Sequence, residues 1–303
     1  MNYWGNSRRN SQGLKKRTEI GDSFMQTTTI REKKITKAAI AKKLGVSRQS
    51  LYYTKKQPLI DEEVRRQIEA VLTEHKAYGH KRIAPELKLN KKRVLRVMKK
   101  FHLKPYRLHA KTPIKKEDMG KASEIDTINI YKLLCPIAPN IVWVSDFTYI
   151  KFQGRFIYVA TIMDMYTREI IGVSISRFHN QNLVMEAFMD AEKKTKTHSH
   201  YLHSDQGSEY TSDDYKTYVV SKKMIISFSD KASPWQNGFQ ESFYGKFKVD
   251  LGHMEQFSST GELIEGIYQT MYYYNNKRRH TSLHMSPVQF KLLYQERSFR
   301  PFV

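Results

Sequence analysis

Three carboxylates carry the chemistry that this sequence predicts. Asp146 lies in the run IVWVSDFTYI, Asp205 lies in HSDQGSEY, and Glu241 lies in SPWQNGFQESFYGKFK. Because burial of an unpaired carboxylate in an apolar strand costs several kcal/mol, Asp146 needs a group that compensates its charge. Hard cations such as Mg²⁺ take oxygen ligands, and two of them can clamp the attacking and leaving oxygens of a phosphodiester. The three acids therefore predict a divalent-metal site that acts on phosphodiesters.

The motifs around these acids resemble, in order and spacing, the catalytic core of bacterial insertion-sequence transposases. HSDxGSxY precedes SPxxNGxxE, and Lys248 follows Glu241 by seven residues. The tail YNNKRRHTSLHMSP extends the resemblance, and its matching residues are Tyr274, Asn275, Arg279, His280, Leu283 and Pro287. A match to all four motifs in order is far more specific than a match to any one of them. The resemblance covers roughly residues 130–295.

The resemblance is to DDE-type transposases of the orfB-type group, which have a retroviral-integrase-like core. It implies an α/β fold, with an RNase H-like mixed five-stranded sheet and flanking helices, preceded by all-α helix-turn-helix DNA-binding units. Asp146 would bridge two Mg²⁺ (or Mn²⁺) ions, and Asp205 and Glu241 would each complete one side, so all three are expected to be catalytic and metal-binding. One ion would activate water or a DNA 3′-hydroxyl, and the other would stabilise the departing 3′ oxygen. Asp205 or Glu241 alone could be a surface carboxylate, but the motifs argue against this for all three together.

Apolar periodicity predicts the elements that must bring the acids together. Alternating runs indicate strands, and the Gln153-Gly154 pair is typical of a tight turn between two of them. We predict strands over 141–151, 155–165 and 169–177, a helix over 182–194, a strand that ends at 203, a helix over 213–224, a strand over 225–229 and then the helix that bears Glu241. In the implied fold the first and fourth strands are neighbours, so Asp146 and Asp205 would converge.

A cation shares the predicted helix face of Glu241. Lys248 lies two turns further along that helix, and we expect it to contact a DNA phosphate. The tail of the resemblance adds three expected DNA contacts: Arg278, Arg279 and His280. Asn237, which precedes the helix, either caps it or contacts DNA.

Three polar residues near the motifs receive other expectations. Asp164 precedes a Tyr-Thr-Arg bend and is expected to shape a turn between strands. Glu209 is expected in the loop and helix-cap region after Asp205. His203 either orients Asp205 or DNA, or is a packed strand residue.

The positive charge of the chain is concentrated in its amino-terminal part. Residues 1–120 hold 31 Lys and Arg against 11 Asp and Glu, and so carry +20 of the net charge of +22. Because attraction to phosphates follows Lys and Arg density, we place most DNA anchoring there. Residues 1–33 lack periodic apolar positions, and we expect a basic, disordered tail over this range.

Residues 34–57 predict a helix-turn-helix. Two short helices would join at Gly45, and Ser47 stands where the second helix needs an amino-terminal cap. That second helix would present Arg48, Gln49 and Tyr53 to the major groove. The alternative is an ordinary helical hairpin without a DNA partner.

Residues 61–107 predict a second helical DNA-binding unit. The acids from Asp61 onward favour a helix amino terminus, and Asn90 would cap a later helix. Inward positions are predicted at Val64, Ile68, Val71, Leu72, Val94, Leu95, Met98 and Phe101. Basic side chains on the outer face are expected to contact phosphates, namely Lys91, Lys92, Arg93 and Arg96, although such a face can also be simply solvated.

The remaining segments and the composition complete the prediction. Residues 108–139 form a linker, 140–295 the catalytic core and 296–303 a tail. The single cysteine, Cys135, excludes an intramolecular disulfide and a zinc site with two thiolates. No apolar run approaches the ~20 residues that span a bilayer, and the polar start MNYWGNSRRN does not resemble a signal peptide. We therefore expect no membrane partner and a cytoplasmic, nucleoid-associated location in a bacterium.

These features together predict a DNA transposase. It would bind the double-stranded terminal inverted repeats of its element, cleave 3′ ends and join them to target DNA, as a homo-oligomer assembled on DNA. Two alternatives are a catalytically idle DNA-binding regulator of transposition and an RNase H-like nuclease without strand transfer. The intact acids argue against the regulator, and the paired DNA-binding units argue against the nuclease.

Overall fold

The computed structural model describes residues 36–52, 57–108, 129–130, 135–230 and 237–298. The chain divides into two units, Met1–Ile60 and Asp61–Val303. The first unit contains helix α1 (Lys37–Leu44) and a short 3₁₀ helix over Arg48–Leu51. Gly45 ends α1 in the left-handed conformation, and the Ser47 hydroxyl accepts a hydrogen bond from the Ser50 amide. The predicted turn and cap are confirmed, but the second helix is a short 3₁₀ helix within the described residues. Tyr53 lies outside them.

Three helices follow: α2 (Gln57–Glu74), α3 (His80–Glu86) and α4 (Lys91–Lys100). The Asn90 side chain accepts a hydrogen bond from the Lys92 amide at 2.8 Å, which confirms the predicted cap of α4. The core that these helices share includes Val64, Ile68, Tyr78, Ile83, Val94, Val97 and Met98. Val97 is fully buried and Leu95 only partly so, because the inward face of α4 is rotated from the predicted one.

The prediction that Asp61 stabilises the amino terminus of a helix was wrong. The helix begins at Gln57, so Asp61 lies inside α2 rather than at its amino terminus. Its buried carboxylate accepts two hydrogen bonds from the Arg96 guanidinium, at 2.8 and 2.5 Å, and one from the Lys100 ammonium at 2.8 Å. This acid therefore joins α2 to α4 instead of stabilising a helix end.

A mixed five-stranded sheet forms the centre of the larger unit. Its strands are β1 (Val142–Phe152), β2 (Arg155–Asp164), β3 (Ile170–Ser176), β4 (Tyr201–Ser204) and β5 (Ile225–Phe228). They lie in the order β3-β2-β1-β4-β5, with β1, β2 and β3 antiparallel and with β4 parallel to both β1 and β5. This is the RNase H-like sheet that was predicted, and the predicted strands agree with it to within one or two residues.

Helices cover both faces of the sheet. They are α5 (Gln181–Thr195), α6 (Ser208–Thr211), α7 (Asp213–Ser221), α8 (Gly238–Leu251), α9 (Thr260–Asn276) and α10 (Pro287–Ser298). Alternate residues of β2 point to opposite faces, so Ala160 and Ile162 pack against α5 and α7, whereas Ile157 and Val159 pack against α8 and α9. The sheet is thus buried on both sides, and the edge of β1 next to β4 lies at its centre.

The three-helix unit contacts the end of α9. The His75 ring lies 2.7 Å from the Tyr273 hydroxyl, the Arg279 amide donates to the Tyr78 hydroxyl at 2.6 Å, and Lys277 pairs with Glu74 at 3.0 Å. These contacts fix residues 74–82 beside residues 273–281. Most of the predicted linker 108–139 lies outside the described residues. No helix in the described part of the chain is both long and apolar enough to cross a membrane.

Candidate active site

Asp146 lies in the middle of β1, between the antiparallel strand β2 and the parallel strand β4. Its carboxylate accepts a hydrogen bond from the Phe147 amide at 2.8 Å and another from the Asn237 side chain, and the Tyr244 hydroxyl donates to its main-chain oxygen at 2.7 Å. The pKa of Asp146 is raised to about 8, mainly by burial and also by the charges of Asp205 and Glu241, while the two hydrogen bonds act in the opposite direction. A carboxylate in this state needs a cation beside it to ionise at neutral pH.

Asp205 comes directly after β4 and next to Asp146. The parallel register pairs Val144 with His203, so two further residues along both strands place the two aspartates side by side. The Gly207 amide donates to the Asp205 carboxylate at 3.0 Å. Burial raises the pKa of Asp205, and the nearby Glu209 raises it as well, whereas the Gly207 amide and His179 lower it. The predicted convergence of the first and fourth strands is confirmed.

Glu241 lies in the first turn of α8 and is exposed. Its charge is close enough to raise the pKa of Asp146, so all three predicted acids face one region of the molecule. Across the described residues, no three acid, histidine or cysteine side chains already lie close enough to hold a metal ion. Asp146 and Asp205 fit a hard divalent cation, because their charges repel one another and their oxygens are its preferred ligands.

Several polar residues hold β1 and α8 in place. The buried side-chain amide of Gln240 donates to the Val144 carbonyl at 2.8 Å, and the Thr161 hydroxyl lies 2.8 Å from the Tyr244 hydroxyl. The first contact joins the helix that bears Glu241 to β1, the strand that bears Asp146, and the second joins that helix to the neighbouring strand β2. Sequence reasoning missed Gln240 and the function of Tyr244, since neither belongs to a periodic pattern. Asn237 occupies the N-cap position of α8, but its side chain makes no capping hydrogen bond and instead bonds Asp146, so the expected capping function is wrong and a DNA contact stays a prediction.

Glu209 is a second acid close to Asp205. Glu209 is buried and pairs with His179 at 2.6 Å, so it does more than the loop and cap function that was expected. The His179 ring stacks on Tyr158 at a centroid distance of 5.2 Å. His179 was missed because it lies far along the chain from Asp205, in a segment without any motif.

Two other expectations are settled by hydrogen bonds. The buried Asp164 carboxylate accepts from the Thr167 amide at 2.7 Å and from the Asn140 amide at 2.7 Å, which confirms that it shapes the turn after β2. The His203 ring lies 2.8 Å from the Ser227 hydroxyl on β5, and both residues are buried. His203 is therefore a packed strand residue.

The predicted DNA contacts outside the tail differ in exposure. Arg48 and Gln49 are exposed on the 3₁₀ helix, and Lys91 and Lys92 are exposed at the start of α4. Arg93 is half-buried, and Lys248 is half-buried with its ammonium 5.3 Å from the centre of the Tyr149 ring. Arg96 is exposed but its guanidinium already binds the buried Asp61, so it stabilises the helical unit, and its contact with a phosphate stays a prediction.

The three predicted tail contacts also differ in exposure. Arg278 is buried and forms an ion pair with Asp250, so it cannot reach a phosphate in this conformation. Arg279 is partly exposed and lies 3.8 Å from Glu86. His280 is half-buried, and burial together with the charge of Lys246 lowers its pKa to about 4, so it is neutral at physiological pH.

Comparison with known proteins agrees with this geometry. Two family models described as Integrase core domain match residues 136–234 and 222–287. The transposase for insertion sequence element IS904 of Lactococcus lactis is 33% identical over 245 residues, covering 78% of this chain and 96% of that protein. Transposase InsF for insertion sequence IS3A of Escherichia coli is 30% identical over 156 residues, covering 50% of this chain and 54% of that protein.

Among solved structures, the catalytic core domain of HTLV-2 integrase, in complex with magnesium and in a trimeric form, is similar at 17% identity and a TM-score of 0.44. It covers 51% of this chain, and 98% of that chain is matched. The IS904 relative, which is matched along nearly its whole length, decides the family. The chain belongs to the bacterial insertion-sequence transposases, which it resembles both in its integrase core and in the segment before it.

Proposed function

We propose that the chain is a Mg²⁺-dependent DDE transposase that binds the terminal inverted repeats of its insertion sequence, cleaves 3′ ends and transfers them to target DNA. The observation that carries this proposal is that the charges of Asp205 and Glu241 both act on Asp146, a buried acid of the central strand whose pKa is raised to about 8. Such a cluster is costly unless a cation or a proton compensates it. Phosphoryl transfer by two metal ions is the chemistry that this arrangement suits.

Asp146, Asp205 and Glu241 would hold the metal ions. When bound, two Mg²⁺ (or Mn²⁺) ions supply the charge that activates a nucleophile and stabilises the departing 3′ oxygen. Asp146 would bind a cation as its carboxylate, which the Phe147 amide and the Asn237 side chain hold in place. Water as nucleophile gives cleavage, and a DNA 3′-hydroxyl gives joining, so one site serves both steps.

DNA binding would rest on residues outside this site. We propose that Arg48, Gln49 and Tyr53 contact bases of the terminal repeat, and that Lys91, Lys92, Arg93 and Lys248 contact phosphates. The exposure of Arg48, Gln49, Lys91 and Lys92 supports this assignment. The chain would act as a homo-oligomer on double-stranded DNA in the bacterial cytoplasm.

An end-labelled duplex that carries the element's terminal repeat tests the activity. With Mg²⁺ and a second target duplex, a transposase yields cut and then joined products, a nuclease stops at cleavage, and a regulator leaves the DNA intact. Asp146→Asn, Asp205→Asn and Glu241→Gln should each reduce both products by at least about 100-fold, because each removes a metal ligand. Asp213→Asn and Glu255→Gln, at exposed positions, are the matched controls. Wild-type cleavage by any of the three variants would refute the metal site.

A further inference from the structure

Four cationic side chains and one neutral histidine meet where α3, α8 and the segment after α9 come together, on a part of α8 that the proposed metal site does not use. We define this group as the cation cluster: Arg82 on α3, Arg168 in the turn between β2 and β3, Lys246 on α8, Arg278 after α9, and the neutral His280. Burial, together with the charges of Arg278, Arg82 and Arg168, lowers the pKa of Lys246 to about 8. Lys246, Arg168, Arg278 and Arg82 likewise act on His280.

The acid in this cluster is already engaged. Asp250 is the carboxylate among the main charges that act on Lys246, and it forms a buried ion pair with Arg278. Arg82 and Lys246 therefore bring more positive charge to the cluster than Asp250, which Arg278 already neutralises, can balance. Such an excess of desolvated positive charge is unfavourable unless an anion joins it.

The donors of the cluster are held by weak, neutral contacts. The Lys246 ammonium donates to the Ser242 hydroxyl at 2.7 Å, and the Arg82 guanidinium donates to the Thr281 hydroxyl at 3.3 Å. Among the described residues, the buried Nδ1 atom of His280 has no hydrogen-bond partner. An incoming anion can therefore accept hydrogen bonds from two cations and from a neutral imidazole N–H.

We propose that the cation cluster binds a phosphate of the DNA backbone, with Lys246, Arg82 and His280 as its donors. The inference rests on the proposed function, and deepens it by naming a DNA contact that joins the helical unit to the catalytic core. A phosphodiester fits because arginine and lysine together suit a tetrahedral anion. Backbone phosphate is favoured over an acidic peptide because the chain carries a net charge of +22 and the cluster lies on the helix of Glu241.

The position of the cluster on α8 says which part of the DNA it would hold. Lys246 follows Glu241 by five residues, which turns it about 140° around the helix axis from the metal site. Its phosphate therefore belongs to a stretch of DNA away from the scissile bond. Because Arg82 comes from the helical unit and Lys246 from the core, one phosphate would fix the position of the terminal repeat relative to both.

A methylphosphonate scan combined with mutation tests the proposal. Single phosphates of a terminal-repeat duplex are replaced by neutral methylphosphonates, and affinity is measured without metal for the wild type, Lys246→Gln and Lys246→Arg. In the wild type, one substitution should weaken binding about tenfold, the loss expected for one charge-assisted contact. In Lys246→Gln that substitution should have no further effect, and Lys246→Arg should restore the sensitivity.

Controls separate the possible outcomes. Lys193→Gln, exposed on α5, should keep the wild-type phosphate profile. Arg82→Gln provides a second variant, and thermal melting shows that each variant is folded. Unchanged DNA binding by Lys246→Gln would overturn the proposal, and so would weakened DNA binding that is coupled to no single phosphate. The proposal would also fail if Lys246→Gln lost the binding of poly-glutamate but kept the binding of DNA. If the wild type cuts and joins DNA but Lys246→Gln binds DNA normally, the phosphate site is refuted and the proposed transposase activity is not. If Lys246→Gln shows the coupling to one phosphate but the wild type cleaves no DNA, the transposase activity is refuted and the phosphate site is not.

Discussion

At the residue scale, Asp146 shows how a buried acid becomes useful. A carboxyl in the middle of a central strand keeps its proton because burial and two other acids oppose ionisation. A divalent cation reverses this balance, since it favours the ionised form of every acid around it. In the proposed metal site, relief of this energetic cost would contribute to the free energy of metal binding.

Replacement of Asp146 by asparagine should stabilise the metal-free protein in a pH-dependent way. In the unfolded chain the carboxyl ionises near its ordinary value of 3.8, whereas in the folded chain it ionises near pH 8. Ionisation therefore favours the unfolded state as pH rises from about 4 to about 8, and wild-type stability falls relative to Asp146→Asn over that window. Urea unfolding with EDTA at several pH values measures the difference.

The same unfolding series contains its own checks. For Asp213→Asn, at an exposed position, the difference in unfolding free energy from the wild type should stay the same between pH 4 and 8. Added Mg²⁺ should stabilise the wild type at pH 8 and leave Asp146→Asn nearly unchanged, because ligand binding stabilises only the state that binds. A stability difference that is constant across the pH range would contradict the assigned burial of Asp146.

At the element scale, the parallel pairing of β1 with β4 is what makes the site. Parallel strands end at the same edge of the sheet, so an acid within β1 and an acid just after β4 become neighbours although 58 residues separate them. Helix α8, anchored through Gln240 and Tyr244, then brings Glu241 close enough for its charge to act on Asp146. Any change that shifts one of these elements should affect activity through the distances between the acids.

The close packing of β3 on α5 can be tested by mutation. A Cβ atom at Gly172 would lie 2.1 Å from the Ala187 carbonyl oxygen, which is main chain and cannot move aside cheaply. Gly172→Ala should therefore destabilise the fold by about 1–3 kcal/mol. Gly245→Ala is the matched control, because no atom lies within 4 Å of its added methyl, and alanine in a helix should stabilise by up to about 1 kcal/mol. Equal stabilities in urea unfolding would contradict the packing.

The 3₁₀ helix of the smaller unit gives a test of sequence-specific binding. Arg48 is exposed beside the Ser47 cap, where a base contact would come from the amino end of a recognition helix. Arg48→Ala should weaken binding to the terminal repeat by about 1–3 kcal/mol and reduce discrimination against a scrambled duplex. Lys42→Ala, which removes the same charge from exposed α1, should weaken both duplexes alike. Retained selectivity in Arg48→Ala would favour the ordinary helical hairpin.

At the scale of the whole molecule, charge is divided between anchoring and chemistry. The first 120 residues carry nearly all of the excess positive charge, and the remainder carries the acids of the proposed metal site. The contacts of α2 and α3 with the end of α9 join the basic segment 61–107 to the core.

Salt dependence of DNA affinity measures the anchoring part. Lys91→Gln combined with Lys92→Gln should lower the slope of log affinity against log salt by roughly 2, about 0.9 for each lost phosphate contact. Lys193→Gln combined with Lys223→Gln removes the same charge at exposed positions of the core and should leave the slope nearly unchanged. If both pairs change the slope equally, the two α4 lysines belong to a solvated face rather than to a phosphate contact.

The sequence alone determined the strands, the catalytic-core family and the three acids, because these depend on local alternation of apolar residues and on short motifs of fixed spacing. It also determined the caps at Ser47 and Asn90, which are formed by residues two or three positions away. Local patterns of this kind are written in neighbouring residues, and a single sequence is enough to read them.

Only the tertiary structure decided which charged residues are paired with one another. Three such pairs have members that lie 28 to 35 residues apart in the chain: Asp61 with Arg96, Glu209 with His179, and Asp250 with Arg278. The sequence predicted Asp61 as a helix signal, Glu209 as a loop acid and Arg278 as a DNA contact, whereas in the structure each pairs with another side chain of the protein. The same applies to the cation cluster, whose members come from four separate segments. Burial and partner choice depend on how elements pack in three dimensions, and no residue carries that information in its own neighbourhood.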